Sequence, residues 1–397
     1  MFLSKMLLLA LFLSIMTATA MRTRPVMGYS NWYDTKCDVH ASRFLEAADA
    51  LEQTGLKTLG YTQINIDAGA FLPERDPTNH SLVPDPRFFP HGIASLAAEL
   101  SARGFQLGGY TDRGTEQCGP SPGSKGFEAL DAAQFVSWNL SYVKSDDCSS
   151  SLDYHTGMAD FKLLGDALRQ HNPDIYYLIC GCKLGVGTPD PRTGWEQCPR
   201  EASQFANAWR IASDDYTWNN VLVNANINAG LPQFQSPGHW NDPDMLINTP
   251  MVPGGWPSKD LCPNIEAWKG VRGRGFPPYS ISPKQARLQM ALWCMMSAPL
   301  ILSLNVRKLS QYDLATYSNK EAIDINQDEL VVQGRRIQGF NLTTAPLPAP
   351  PTPAPHPRME PKYSRTTTSY EDNVTPAALA LRAAASTRRP PTASSST

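Results

Sequence analysis

Between residues 25 and 330 two apolar patterns alternate along the chain. Short runs rich in β-branched and aromatic residues have the look of buried strands, and between them apolar residues recur at helical three- and four-residue intervals. The strand-like runs are Val26 to Trp32, Tyr61 to Asp67, Phe105 to Asp112, the run from Leu140 to Asp146, Ile175 to Cys180, Trp209 to Asp214, His239 to Trp240, and Leu300 to Leu304. Between them, Ser42 to Thr54 sets Phe44, Leu45, Ala48 and Leu51 on one helical face. Further helices are predicted over Ile93 to Arg103, from about Gly126, over Gly157 to Gln170, near Glu201 to Ala208, over Pro283 to Met296 and near Leu309 to Tyr317. Eight strand–helix repeats predict an α/β fold, a closed (β/α)8 TIM barrel. An open doubly wound sheet is the alternative, and no glycine-rich phosphate fingerprint supports it.

The ends of the chain break the pattern. Met1 to Ala20 carries Lys5, an apolar stretch from Met6 to Met16, then Ala18-Thr19-Ala20. This is the form of a secretory signal cleaved after Ala20, and the apolar stretch is short for an uncleaved anchor. Thr343 to Pro361 is dominated by Pro, Ala and Thr, and Arg365 to Thr397 is polar and basic. Such composition buries too little apolar surface to order itself, so residues 343–397 are expected to be a disordered tail. The expected organisation is a signal peptide over 1–20, a barrel over 25–340 and that tail.

Composition adds limits. The 397 residues are 42% hydrophobic and 18% charged, with a net charge of −2. Near-neutral charge without a basic run gives no reason to expect nucleic acid or an anionic membrane surface as partner. A signal peptide places the chain outside the cell or in an endomembrane or vacuolar lumen, where the eight cysteines are expected to pair. Cys118 and Cys148 both follow strand ends. Cys180, Cys182 and Cys198 lie on or beside one loop and leave their pairing open, with Cys262 also unassigned. Cys294, in an apolar helix, is expected to be a free thiol. No spacing makes a zinc site, and no cofactor is implied. Asn79, Asn139, Asn341 and Asn373 begin glycosylation sequons.

Chemistry concentrates in Tyr142-Val143-Lys144-Ser145-Asp146-Asp147-Cys148. Lys144 and Asp146 share a strand face by the period of two, so Lys144 is expected to hold Asp146 ionised, as a carboxylate nucleophile requires. Asp67, Asp112, Asp146, Asp214 and Asp244 all fall at or just after strand ends, the catalytic end of a barrel. Together they predict a polar bowl that accepts hydrogen bonds from a hydroxyl-rich substrate, with Tyr29, Trp32, Tyr110 and Trp240 interleaved as ring faces. A retaining glycosidase needs two carboxyls about 5–5.5 Å apart, one charged and one protonated. Asp146 fits the charged role. Asp214 follows apolar Ile211 and Ala212, which favours the acid, while Arg210 on the same face argues the other way.

The chain also resembles a family, the melibiase-like α-galactosidases and α-N-acetylgalactosaminidases of glycoside hydrolase family 27. The matching segments run in order from Met27-Gly28 through Ile66-Asp67, Asp85 to Ile93, Gly109-Tyr110-Thr111-Asp112, Lys144 to Cys148, Trp209-Arg210, Trp240 to Met245 and Ala298-Pro299-Leu300 to Ile325-Asn326-Gln327-Asp328. The resemblance implies a secreted retaining hydrolase of terminal α-D-galactosides, with oligosaccharides or glycoconjugates as substrates. It implies Asp146 as nucleophile and Asp214 as acid/base. Asp67, Tyr110, Lys144, Arg210 and Asp244 are implied as sugar contacts, with Tyr29 in place of the family's tryptophan, and Cys118 and Cys148 as a disulfide beside the site.

The departures from the family pattern are specific. Ala68 stands where the family has a second aspartate, which removes an acceptor for the sugar 4- and 6-hydroxyls. Lys-Ser-Asp-Asp-Cys replaces Lys-Phe-Asp-Gly-Cys. Cys180-Gly181-Cys182-Lys183 replaces acidic and aromatic residues near the sugar 2-position and is expected to leave more room. The loop from Thr249 to Ser282, with Trp256, Cys262 and Trp268, is longer than the family norm, and the family's C-terminal β-sandwich is expected to be missing. These changes keep α-N-acetylgalactosaminide or β-L-arabinopyranoside cleavage open as alternatives. An inactive sugar-binding barrel is the rival from another class, which the retained Asp146, Lys144, Arg210 and Asp214 oppose.

Overall fold

The computed structural model describes residues 22–119, 121–150, 153–182, 194–248 and 281–337. The signal segment, the sequons at Asn341 and Asn373, the long 249–282 loop apart from its last two residues, the tail and the region where a sandwich would follow all lie outside them.

Eight short parallel strands form the centre: β1 Met27–Ser30, β2 Gln63–Asn65, β3 Gln106–Asp112, β4 Tyr142–Asp146, β5 Tyr176–Ile179, β6 Ala208–Arg210, β7 Trp240–Asp242 and β8 Leu300–Leu302. Their order in the sheet is β7-β6-β5-β4-β3-β2-β1-β8. Just beyond β7, Leu246 donates its amide to Ile301 and forms a parallel bridge with Leu302, which joins the two ends of the sheet. This is the (β/α)8 barrel that the repeats predict, and a closed sheet leaves no edge unpaired.

The helices wrap the outside: α1 Trp32–Thr35, α2 Ala41–Gln53, α3 Gly92–Ala102, α4 Glu128–Ser137, α5 Tyr154–His171, α6 Gly194–Ala202, α7 Trp218–Asn228, α8 Pro283–Met295, α9 Gln311–Tyr317 and α10 Lys320–Asn326. On α2 the buried side chains are Phe44, Ala47, Ala48, Ala50 and Leu51. Helix α7 carries no strong apolar stripe and escapes a periodicity reading, because Asn224 and Asn228 are among its buried residues. What marks it is its cap, where the Thr217 side chain accepts from the amide of Asn220. The helix expected near 201–208 instead ends at Ala202. The strand expected to reach Asp214 ends at Arg210, which leaves Asp214 on the loop.

Register decides which side chains enter the barrel. Across β3 to β5, Tyr110 pairs with Lys144 and Lys144 with Leu178. Across β6 and β7, Arg210 pairs with Asp242. Because partners in parallel strands share a face, these rows point inward together and stack toward the C-terminal end. Below them the floor is aromatic: Tyr142 stacks on Tyr176 at 5.1 Å and Tyr176 on Trp240 at 5.7 Å. Trp240 is fully buried there, a packing residue and not an exposed ring face. Among the described residues, no helix is long and apolar enough to cross a membrane.

Candidate active site

Three clusters meet above that floor. In the first, Lys144 on β4 donates to Asp67 Oδ2 at 2.8 Å, with its ammonium 5.2 Å from the centre of the Tyr110 ring. The other Asp67 oxygen accepts the amide of Ala68 at 2.9 Å. The direct ion-pair partner of Lys144 is therefore Asp67, across the strands, whereas the strand pattern points to Asp146. Burial disfavours the ammonium, yet Asp67 above all, with Asp146 further along, holds the Lys144 pKa above its ordinary value. Removing the amine leaves Asp67 buried without its partner. Lys144→Met should cost on the order of 3–5 kcal/mol in urea unfolding, and a loss under about 1 kcal/mol would mean that water already screens the pair.

The second cluster is built on Asp146. The Tyr110 hydroxyl donates to Oδ2 at 3.0 Å and the Asp147 amide to Oδ1 at 3.0 Å. Two donors on different elements fix the carboxylate plane at the end of β4. Behind it, Cys118 and Cys148 form a disulfide with Cα atoms 5.1 Å apart, tying the loops after β3 and β4 together.

The third cluster centres on Arg210, which is almost fully buried. It donates to Asp214 Oδ1 at 3.1 Å and lies 3.0 Å from Asp244 Oδ1. The Tyr216 hydroxyl donates to the other oxygen of Asp214. Asp214 keeps 32% of its side chain exposed, so the loop presents this carboxyl to solvent while two donors hold it from behind. Asp244 sits at φ 91°, a strained backbone for a non-glycine residue, and Oδ2 accepts from Tyr33 at 3.1 Å and from the Asp215 amide at 2.7 Å. Asp215 is buried beneath, accepting from Asn224 at 2.7 Å and Gln289 at 3.1 Å. Burial, then the charge of Asp244, pushes the Asp215 carboxyl well above the carboxylate range. Asp242 is pushed up to about 6 by burial, with Arg210 opposing.

A cavity joins the first and third clusters. Its walls include Ser30, Asp67, Lys144, Arg210, Asp242 and Asp244. The sequence pattern misses Asp242, Asp215, Tyr33 and Tyr216. Only Asp242 had a signal, lying two residues before Asp244 on the same face.

Two expected members of the bowl lie elsewhere. Asp112 is buried with Oδ1 on the Gly114 amide and Oδ2 on the Cys148 amide, both at 2.6 Å. Burial and then Asp146 raise its pKa to about 7. It organises loop backbone and does not face the bowl. Tyr29 is fully buried on β1, in register with Ile64, and its hydroxyl donates to Asp34 at 2.7 Å. Ser30, the next residue, points inward instead, because side chains alternate along a strand.

The cysteines resolve the open pairing. Cys182 is bonded to Cys198, Cys37 is disulfide-bonded, Cys180 is buried, and Cys294 is a buried free thiol. Gly181 does not open space beside the sugar site. A Cβ there would lie 2.5 Å from the Phe161 ring, so the gap is already filled by helix α5. The metal-like grouping of Asp112, Cys118 and Cys148 has its two sulfurs bonded to each other and offers no thiolate.

With this geometry established, comparison with known proteins is informative. A family model described as alpha galactosidase A matches residues 24–252 and 276–328. The chain belongs to that family. It is 31% identical to an alpha-galactosidase of Oryza sativa over 319 residues, 80% of this chain and 66% of the relative. Alpha-galactosidase 3 of Arabidopsis thaliana is 33% identical over 79% of this chain and 62% of its own length. The crystal structure of alpha-galactosidase I from Mortierella vinacea superposes with a TM-score of 0.67 at 26% identity, covering 82% of this chain and 78% of that one. The chain thus spans about two thirds of the plant relatives' length. Alpha-galactosidases are glycoside hydrolases, and the barrel is the part that this chain shares with the superposed relative.

Proposed function

We propose that the chain is a secreted retaining α-galactosidase, acting on oligosaccharides or glycoconjugates with terminal α-D-galactosyl groups. What supports this reading is that two carboxyls following the C-terminal ends of β4 and β6 are each held by separate donors. Asp146 is held by Tyr110 and the Asp147 amide, and Asp214 by Arg210 and Tyr216. Asp146 attacks the anomeric carbon as Asp214 gives its proton to the leaving oxygen. Asp214 then takes a proton from the water that breaks the glycosyl–Asp146 ester, so the anomeric configuration is retained. Asp67, Lys144, Arg210 and Asp244 serve as partners for sugar hydroxyls, and Tyr110 both orients Asp146 and borders the ring.

Hydrolysis of a panel of nitrophenyl glycosides by the secreted chain tests the reading. The α-D-galactoside is expected to exceed the α-N-acetylgalactosaminide and the β-L-arabinopyranoside in kcat/KM. A higher value for either of the others reassigns the substrate, and no hydrolysis of any favours the inactive barrel.

Ala68 makes the choice between hexose and pentose testable. It is buried, and its amide is spent on Asp67. A hydrogen bond to a charged acceptor contributes about 1.5–3 kcal/mol, so Ala68→Asp should raise kcat/KM for the galactoside about ten- to a hundredfold. The arabinoside, which lacks the 6-hydroxymethyl group, should change little. A fall in galactoside hydrolysis would show that another group already fills that role.

A further inference from the structure

A second cavity lies at the opposite end of the barrel. It has a volume of about 270 Å3, and Arg22, Arg169, Asp174, Tyr176 and His239 line it. Arg22 precedes β1, Asp174 precedes β5, Tyr176 opens β5, His239 precedes β7, and Arg169 is in the last turn of α5. All five therefore belong to the N-terminal face, the side of such barrels that carries no catalytic loops. The sugar chemistry proposed above uses none of them.

Among the described residues that line it, two guanidiniums and an imidazole share the cavity with one carboxylate, Asp174. Burial lowers the Arg22 pKa, and burial followed by the charge of Arg169 lowers that of His239. Arg22 is already positioned. It donates to the side chains of Gln63 and Gln106 and lies 5.7 Å over the Tyr176 ring. Arg169 is anchored by donating to the Gln204 carbonyl at 2.8 Å. Tyr176 is 1% exposed, and its ring beneath Arg22 forms part of the cavity wall. The crowded guanidiniums are relieved by an anion that accepts from them.

We propose that this cavity binds a phosphate-type oxyanion, free or carried on a small organic molecule. Guanidinium forks match tetrahedral oxyanions, and the cavity exceeds what one inorganic ion fills. The inference stands independently of the sugar that the other end accepts.

Melting of the full secreted chain, titrated with inorganic phosphate or with glucose 6-phosphate at constant ionic strength, tests it. Both should raise the melting temperature saturably. A lower half-saturating concentration for glucose 6-phosphate would place the organic part in the cavity, and equal values would leave the ligand as the ion. Arg169→Gln, which can still donate to the Gln204 carbonyl, combined with His239→Gln should raise the half-saturating concentration at least about tenfold. Asp174→Asn should lower it, and this variant keeps the test decisive if the double variant folds poorly. No saturable response, or one half-saturation shared by all the chains, would overturn the proposal.

Discussion

Asp146→Asn should abolish turnover of α-galactosides while leaving the barrel folded and sugar binding largely intact. The asparagine keeps the size of the side chain and an oxygen for Tyr110 to donate to, so the local geometry at the end of β4 survives. It loses the nucleophile. Removing an attacking group of this kind lowers kcat by about 10⁴-fold or more, because general acid assistance and binding alone cannot form the covalent intermediate. A mechanism-based fluorosugar should label Asp146 in the native chain, read by mass spectrometry of the digested protein. Labelling at Asp147, Asp242 or any other carboxylate would move the nucleophile, and the whole assignment of the rim with it.

Asp214→Ala should separate substrates by leaving group. Protonation of the departing oxygen matters most when the aglycone is a poor leaving group, and general acid assistance contributes about 10²–10⁴-fold there. Activated aryl galactosides should therefore lose far less in the glycosylation step. They should then accumulate the glycosyl-enzyme, because no base remains to activate water. Azide, which needs no base, should restore turnover of the activated substrate and give the α-galactosyl azide with retained configuration. Equal losses for both leaving groups, without rescue, would remove Asp214 from the acid/base role. Asp215 is poorly placed to inherit it, being fully buried with its carboxylate oxygens on Asn224 and Gln289.

The sequence by itself determined the class of the fold and the ring of acids. Strand–helix alternation is a local property, so eight repeats translate directly into a parallel barrel. Period-two reasoning also placed Lys144 and Asp146 on one strand face, since alternation along a strand needs no tertiary information. What it could not supply was partner choice. Lys144 reaches across to Asp67 because β4 and β2 flank β3 in the curved sheet, which brings residues 77 positions apart to 2.8 Å. Asp112 follows the same strand-end pattern as Asp146, yet loop amides after β3 and β4 capture it, a competition that depends on how those loops fold back. Tyr29 was matched to a family position by its place in line, but register with Ile64 turned it outward onto Asp34. Gly181 looked like empty space until α5 put Phe161 into it. The cationic cavity at the opposite end was invisible for the same reason. Arg22, Arg169 and His239 are far apart in the chain and become neighbours only when strands β1, β5 and β7 close into one barrel.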